Sequence, residues 1–78
     1  MSEYLLYVRY AFSGLAVYEV KTDDIFHIIG KAHYCSPERI TWFQFVEDTP
    51  SRREFWTQQG CAIKKAPHKW HKGGKCDE

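Results

Sequence analysis

The chain carries more aromatic side chains than a hydrophobic core of its size can readily enclose. Five Phe, five Tyr and three Trp make up 17% of its 78 residues. A chain of this length forms one domain with one core, close to the lower limit for folding without a disulfide, a metal ion or a partner. Because aromatic side chains are large, they must dominate that core, and the surplus must lie at the surface. We therefore expect a small globular domain with an exposed aromatic patch.

The first part of the chain predicts a β-hairpin. Residues 4–12 and 15–21 are rich in Tyr, Val and Leu, and their side chains alternate between a buried face and a partly covered face, as is typical of strands. Ser13 and Gly14 supply the turn between them. Residues 39–47 alternate in the same way but carry apolar side chains on both sides, which predicts a strand in the centre of the sheet.

Two helices are predicted to follow these strands. An apolar stripe at helical spacing, preceded by capping residues at positions 22–24, predicts a helix that ends near residue 33. Thr49 and Pro50 predict the start of a second helix over residues 50–59, which ends at Gly60. We expect this second helix to bury Phe55 and Trp56.

The order of the elements predicts the class of fold. A short strand at residues 61–65 completes the order β-β-α-β-α-β. This order is typical of an α+β fold, here with a small, mainly antiparallel sheet and two helices packed on one face. Pro67 and the Lys-, His- and Gly-rich sequence after it predict a flexible basic tail. We expect a single domain over residues 1–66 and a tail over residues 67–78.

Charge is divided unevenly between the body of the chain and this tail. Residues 1–60 hold six basic and eight acidic side chains, whereas residues 61–78 hold five Lys and two acidic side chains. A basic tail steers a protein toward an acidic partner surface. No positively charged segment precedes an apolar run as in a signal peptide, and no apolar run is long enough to span a membrane. These features predict a cytoplasmic protein without a membrane partner.

No motif in the sequence indicates catalysis. The chain lacks a glycine-rich phosphate loop, a G-x-S-x-G turn and an H-E-x-x-H zinc motif, so we expect neither an enzyme nor a cofactor. A structural zinc site is the weaker alternative, because the last part of the chain supplies four side chains of the right ligand type. Their spacing lacks the close ligand pairs that zinc fingers use. These four candidate ligands are Cys61, His68, His71 and Cys76.

Protein recognition is the function that this composition favours. Tyr, Trp and Arg are the residues that anchor protein interfaces, and Lys supplies electrostatic steering. The sequence predicts a small non-enzymatic binding protein that acts on a protein partner as an inhibitor, adaptor or regulator. Proteins of this kind include the accessory proteins of mobile genetic elements such as phages. The predicted contact residues are Tyr7, Arg52, Arg53, Trp56, Lys64, Lys65, Lys69, Trp70 and Lys72.

Two further hypotheses remain open at the level of sequence. A homodimer would cover the open face or edge of the sheet. A nucleic-acid-binding module would use the Lys side chains of the tail to neutralise phosphates and Trp70 to stack on a base. Zinc would order the tail in that second case.

Overall fold

The computed structural model describes residues 2–74. The predicted α+β class and the order β-β-α-β-α-β are confirmed. A single 3-10 turn follows the last strand. The elements are β1 (Ser2–Tyr10), β2 (Gly14–Thr22), α1 (Ile25–Cys35), β3 (Ile40–Glu47), α2 (Pro50–Gln58), β4 (Ile63–Lys65) and the 3-10 turn (His68–Trp70).

The four strands form one mixed sheet in the order β3-β1-β2-β4. The predicted hairpin is confirmed, since β1 and β2 pair antiparallel from Ser2 opposite Thr22 to Tyr10 opposite Gly14. Gly14 has a positive φ of 83°, which its lack of a Cβ permits in this tight turn. Strand β1 also pairs antiparallel with β3, whereas β4 runs parallel to β2. The sheet is therefore mainly antiparallel, as predicted.

Strand β3 lies at an edge of the sheet, and its predicted central position is wrong. The central strand on that side is β1, whose Leu5, Leu6 and Val8 are fully buried. The side chains of β3 are instead mostly exposed or half-buried. Apolar residues on both faces of a strand do not distinguish a strand covered on both sides from an edge strand that exposes them.

Helix α1 packs on one face of the sheet, here called the first face, which carries Leu6, Val8 and Tyr18. The side chain of Asp24 caps the helix by accepting a hydrogen bond from the backbone N–H of His27 at 3.2 Å, which satisfies one of the donors left free at a helix start. The predicted apolar stripe then turns toward the sheet. The buried core on this face consists of Leu6, Val8, Ala16, Tyr18, Val20, Ile28, Ile29, Ala32, Ile40 and Trp70.

Helix α2 packs on the opposite face, here called the second face, so the predicted placement of both helices on one face is wrong. Residues Tyr7 and Glu19 alternate with the core residues of β1 and β2, and both contact α2. The connection through α1 leads from β2 across β1 to β3, and the connection through α2 returns across the whole sheet to β4. Crossovers between parallel strands are nearly always right-handed. Two crossovers of the same hand that run in opposite directions must cross opposite faces.

The segment after β4 is part of the domain rather than a flexible tail, at least as far as residue 74. Trp70 is only 2% exposed, and its ring packs edge-to-face on Tyr18 with a centroid distance of 4.8 Å. The predicted domain boundary at residue 66 is therefore wrong, because the 3-10 turn brings Trp70 into the core between α1 and the sheet. Residues 75–78 lie outside the described part of the chain.

Candidate protein-interaction surface

Helix α2 carries three of the predicted contact residues, Arg52, Arg53 and Trp56. Its first turn is fixed by the hydroxyl of Thr49, which accepts a hydrogen bond from the backbone N–H of Arg52 at 3.3 Å. Pro50 follows at the first helical position, where a missing N–H costs nothing. Gly60, with a positive φ of 78°, lies just beyond the end of the helix, as predicted. The local sequence thus sets both ends of α2.

A run of three aromatic rings leads from the sheet through α2 to solvent. The Tyr7 and Trp56 rings meet at a centroid distance of 5.2 Å and an angle of 66°. The Trp56 and Phe55 rings meet at 5.0 Å and 84°. Such edge-to-face contacts are favourable and fix the relative orientation of the rings. The structure therefore brings Tyr7 and Trp56 together, as two members of one rigid aromatic cluster.

The aromatic cluster is only partly covered. Tyr7 and Trp56 are half-buried, and Phe55 is 51% exposed, so the prediction that α2 buries both of its rings is wrong for Phe55. The indole Nε1 of Trp56 is buried without a hydrogen-bond partner among residues 2–74. The position of this side chain is therefore set by ring packing and not by a polar contact.

The two adjacent arginines of α2 have different roles. Arg53 donates to both carboxylate oxygens of Asp48 at 2.7 Å and to the carboxylate of Glu19 at 2.6 Å. These bonds hold the pKa of Asp48 below its ordinary value and raise the pKa of Arg53. Bidentate charge-assisted bonds of this kind are strong and geometrically specific. Arg53 therefore fastens α2 to the second face.

Arg52 is exposed and keeps most of its hydrogen-bonding capacity. One guanidinium nitrogen donates to the backbone carbonyl of Glu47 at 3.1 Å, and no ion pair involving Arg52 occurs in the described part of the chain. It lies one helical turn from Phe55, so the two side chains share one side of α2. We define the α2 surface as Tyr7, Arg52, Phe55 and Trp56.

The structure removes Trp70 from the predicted contact residues. At 2% exposure its ring contacts the core, and a buried ring offers neither an anchor to a protein nor a stacking surface to a base. The alternative of a nucleic-acid-binding tail depends on that stacking ring. Sequence reasoning placed Trp70 at the surface because lysines and histidines surround it.

The predicted lysines do not form one patch. Lys64 and Lys65 are adjacent in β4 and alternate between the two faces of the sheet, since they lie opposite Tyr18 and Glu19. Lys69 is half-buried in the 3-10 turn. Lys72 is exposed and lies 4.0 Å from a carboxylate oxygen of Asp24. Their charge is thus spread around one end of the molecule.

The candidate zinc ligands are not assembled into a site by the residues that the structure describes. Within residues 2–74, no three His, Cys, Asp or Glu side chains lie close enough together to hold a metal ion. Cys61 is a free thiol after α2, while His68 and His71 belong to the 3-10 turn and the residue after it. The fourth candidate, Cys76, lies outside the described residues.

Sequence reasoning missed a second group of exposed aromatic residues, on β3. Trp42 is 44% exposed and Phe43 is 41% exposed. Both belong to the surplus of aromatic residues, but the central position expected for β3 gave no reason to name them as contact residues. No local pattern in the sequence indicates their exposure, which follows from the edge position of β3 in the strand order.

Comparison with protein-family models, with curated proteins and with solved structures found no match. Among the helices that the structure describes, none is both long enough and apolar enough to cross a bilayer.

Proposed function

We propose that this chain is a small non-enzymatic binding protein that occupies a protein partner, as an inhibitor, adaptor or regulator, through the α2 surface. The observation that carries this proposal is the fixed run of rings from Tyr7 through Trp56 to the half-exposed Phe55, with the exposed Arg52 beside it. Rigid aromatic side chains next to Arg are the groups that contribute most to binding in protein interfaces.

The geometry favours a partner with an apolar pocket next to a carboxylate. Phe55 and Arg52 are three residues apart on one side of a helix, which is the spacing of anchors when a helix docks into a groove. The Phe55 ring would enter the pocket, and the Arg52 guanidinium would bind the carboxylate in a bidentate manner. Because Trp56, which itself packs on Tyr7, already contacts the Phe55 ring, little side-chain freedom is lost on binding.

Binding to such a site acts by occupying the partner's surface. The lysines around the 3-10 turn and β4 would raise the rate of encounter with an acidic partner rather than the strength of the complex. The affinity would come from apolar burial, so it would persist as salt is raised. A phosphate-binding protein would lose affinity steeply under the same conditions.

The test is affinity capture from a lysate of the native host, treated with nuclease, followed by a binding measurement with the purified partner. The variants are Arg52→Ser and Phe55→Ser, and the matched control is Glu54→Ser, an exposed residue of the same helix on the side away from Arg52. We expect the control to bind like the unmodified chain. We expect each surface variant to lose about 2 kcal/mol of binding free energy, which is roughly a 30-fold loss of affinity.

Two results would contradict the proposal. Capture of nothing but nuclease-sensitive material would indicate a nucleic-acid partner. Retention of a protein partner by both surface variants would place the contact elsewhere. Circular dichroism should show folded protein in all variants, because the replaced side chains are exposed.

A further inference from the structure

The two edges of the sheet differ in how they are protected against pairing with another strand. Strand β4 is three residues long and carries Lys64 and Lys65, and both short length and Lys are devices that discourage pairing. Strand β3 is eight residues long, contains neither Lys nor Pro, and exposes Trp42 and Phe43. An edge of this kind is a template for another strand.

The backbone groups that face this open edge can be assigned from two hydrogen bonds. The N–H of Asp48 donates to the carbonyl of Glu3 at 3.2 Å, and groups directed at the partner strand alternate along an antiparallel pair. Residues 42, 44 and 46 therefore direct their backbone groups to β1, and Phe43, Phe45 and Glu47 direct theirs outward. The carbonyl of Glu47 accepts a hydrogen bond from the side chain of Arg52, which agrees with this assignment.

One bulge limits the length of the regular edge. Arg9 lies opposite Trp42, but Tyr10 lies opposite Ile40, so Thr41 is an extra residue in β3. The regular open edge consists of residues 42–47. Within it, both backbone groups of Phe43 and of Phe45 face outward.

We propose that two copies of this chain pair through β3, antiparallel, with a two-fold axis at Gln44 that makes one continuous sheet. Phe43 of each copy then lies opposite Phe45 of the other, and the two residues exchange their outward N–H and C=O groups. Trp42 lies opposite Val46 of the other copy. The dimer goes beyond the function proposed above, and it does not depend on what the α2 surface binds.

The side chains favour this register over its neighbours. A two-fold axis at Phe45 would set Phe43 opposite Glu47, so that an aromatic ring would face a carboxylate. An axis at Phe43 would extend the pairing across the bulge at Thr41. The axis at Gln44 pairs apolar with apolar residues on both faces and leaves only the two Gln44 amides opposite each other. Within each chain Phe43 already contacts Phe45 at a centroid distance of 6.2 Å, so pairing on the first face would join the rings of both copies into one cluster.

The charges at the ends of β3 are complementary to those of a second copy. Arg39 precedes the strand and Glu47 ends it, both are exposed, and neither forms an ion pair within residues 2–74. Antiparallel pairing brings the Arg39 end of each copy toward the Glu47 end of the other. No two like charges face each other in the paired segment. The opposite charges at the two ends of β3 are the reason to expect a second copy of this chain rather than an unrelated strand.

The dimer would also fix the orientation of the two α2 surfaces relative to each other. A two-fold axis perpendicular to the sheet keeps the second faces of both copies on the same side. Both α2 surfaces would then face in one direction, so a partner with two sites, or two adjacent partners, would be bound with the gain of bivalency.

The first test is the mass of the purified chain in solution, measured by sedimentation velocity over a dilution series. We expect a dimer for the unmodified chain. Phe43→Lys should raise the dimer dissociation constant at least about tenfold, because it places charge on the edge. The matched control is Phe26→Lys, the same replacement at an exposed residue of α1, which should remain dimeric. A monomeric unmodified chain, or a Phe43→Lys chain as dimeric as the control, would overturn the proposal.

The second test determines the register in which the two β3 strands pair. It does not depend on whether the Phe43→Lys variant is stable. In the proposed pairing, residue 44 of each copy meets its equivalent at a non-hydrogen-bonded position, where Cα atoms lie about 4.5 Å apart and within the range that a disulfide spans. Gln44→Cys should therefore cross-link to a covalent dimer under mild oxidation. Gln58→Cys, on α2, is the control for the native cysteines. Cross-linking of Gln44→Cys no faster than of Gln58→Cys would overturn the proposed register.

Discussion

The two faces of the sheet are covered by helices that are held in different ways. On the first face, α1 contributes Ile28, Ile29 and Ala32 to the interior, and Trp70 completes the cover. On the second face, no residue of α2 is fully buried, although Leu5 and Val17 beneath it are. Helix α1 is held by the burial of its own apolar side chains, whereas α2 is held by the ion pairs of Arg53 and by ring contacts.

This difference separates the face that contributes most to the core from the face on which we propose binding. Helix α1 buries its apolar stripe, and its two exposed rings, Phe26 and Tyr34, lie outside that stripe. A helix fastened by a few polar contacts at its edge keeps aromatic side chains half-exposed, as α2 does with Phe55. We expect residues on the first face to contribute more to the free energy of unfolding than residues on the second face.

The largest effect is expected at Trp70, on the first face. Trp70→Ala should lower the free energy of unfolding by about 3–5 kcal/mol, because it removes a large ring from the core and leaves a cavity. Phe12→Ala, at the exposed hairpin turn, is the comparison and should stay within about 0.5 kcal/mol of the unmodified chain. Denaturant unfolding followed by circular dichroism measures both. Equal stability of the two variants would show that the residues after β4 do not belong to the core.

A smaller effect is expected at the cap of α2. Thr49→Ala should cost about 1 kcal/mol, because it removes the hydroxyl that accepts the N–H of Arg52. The loss should appear as faster hydrogen exchange of the α2 amides, with little change in α1, if the second face opens independently. Ser51→Ala in the same turn is the control and should leave exchange unchanged. Equally faster exchange in both helices would mean that the two faces open together.

The smallest effect is a pH dependence that arises on the second face. The hydrogen bonds from Arg53 lower the pKa of Asp48 from its ordinary value of 3.8. A carboxyl with a depressed folded-state pKa stabilises the fold above its ordinary pKa, and this contribution is lost as pH falls through the depressed value. Asp48→Asn should therefore reduce stability near neutral pH and lose less stability than the unmodified chain on acidification below 3.8.

The control for this pH effect is Asp23→Asn, an exposed residue before α1 that forms no ion pair within the described residues. Its unfolding free energy should follow that of the unmodified chain over the same pH range. If Asp48→Asn also follows the unmodified chain, the ion pair contributes nothing to fastening α2.

Local patterns in the sequence were sufficient to predict the elements, because the signals lie within a few residues of each other. The Asp24 and Thr49 caps, the apolar stripe of α1 and the Gly14 turn each act over one or two turns of chain. The placement of β3 and of α2 could not be read from these patterns. It depends on the hand and direction of two crossovers, which only the strand order reveals.

The candidate contact residues were predicted only in part, for a similar reason. Composition named Tyr7, Arg52 and Trp56 as contact residues but could not place Tyr7 beside Trp56, because that contact joins β1 to α2. Trp70 was misassigned because its burial is a tertiary contact with Tyr18, made by a segment whose own sequence is polar. The exposure of Trp42 and Phe43 was missed because it follows from the edge position of β3.

The connection from β3 to β4 spans the full width of the sheet, with α2 as its middle section. Its two ends therefore lie in the two outermost strands of the sheet. A partner that pulled on α2 would act on a segment joined to both outermost strands, and at the β3 end Arg52 also donates a hydrogen bond to the carbonyl of Glu47. Tension applied to α2 would thus reach the strand where a second copy is proposed to join.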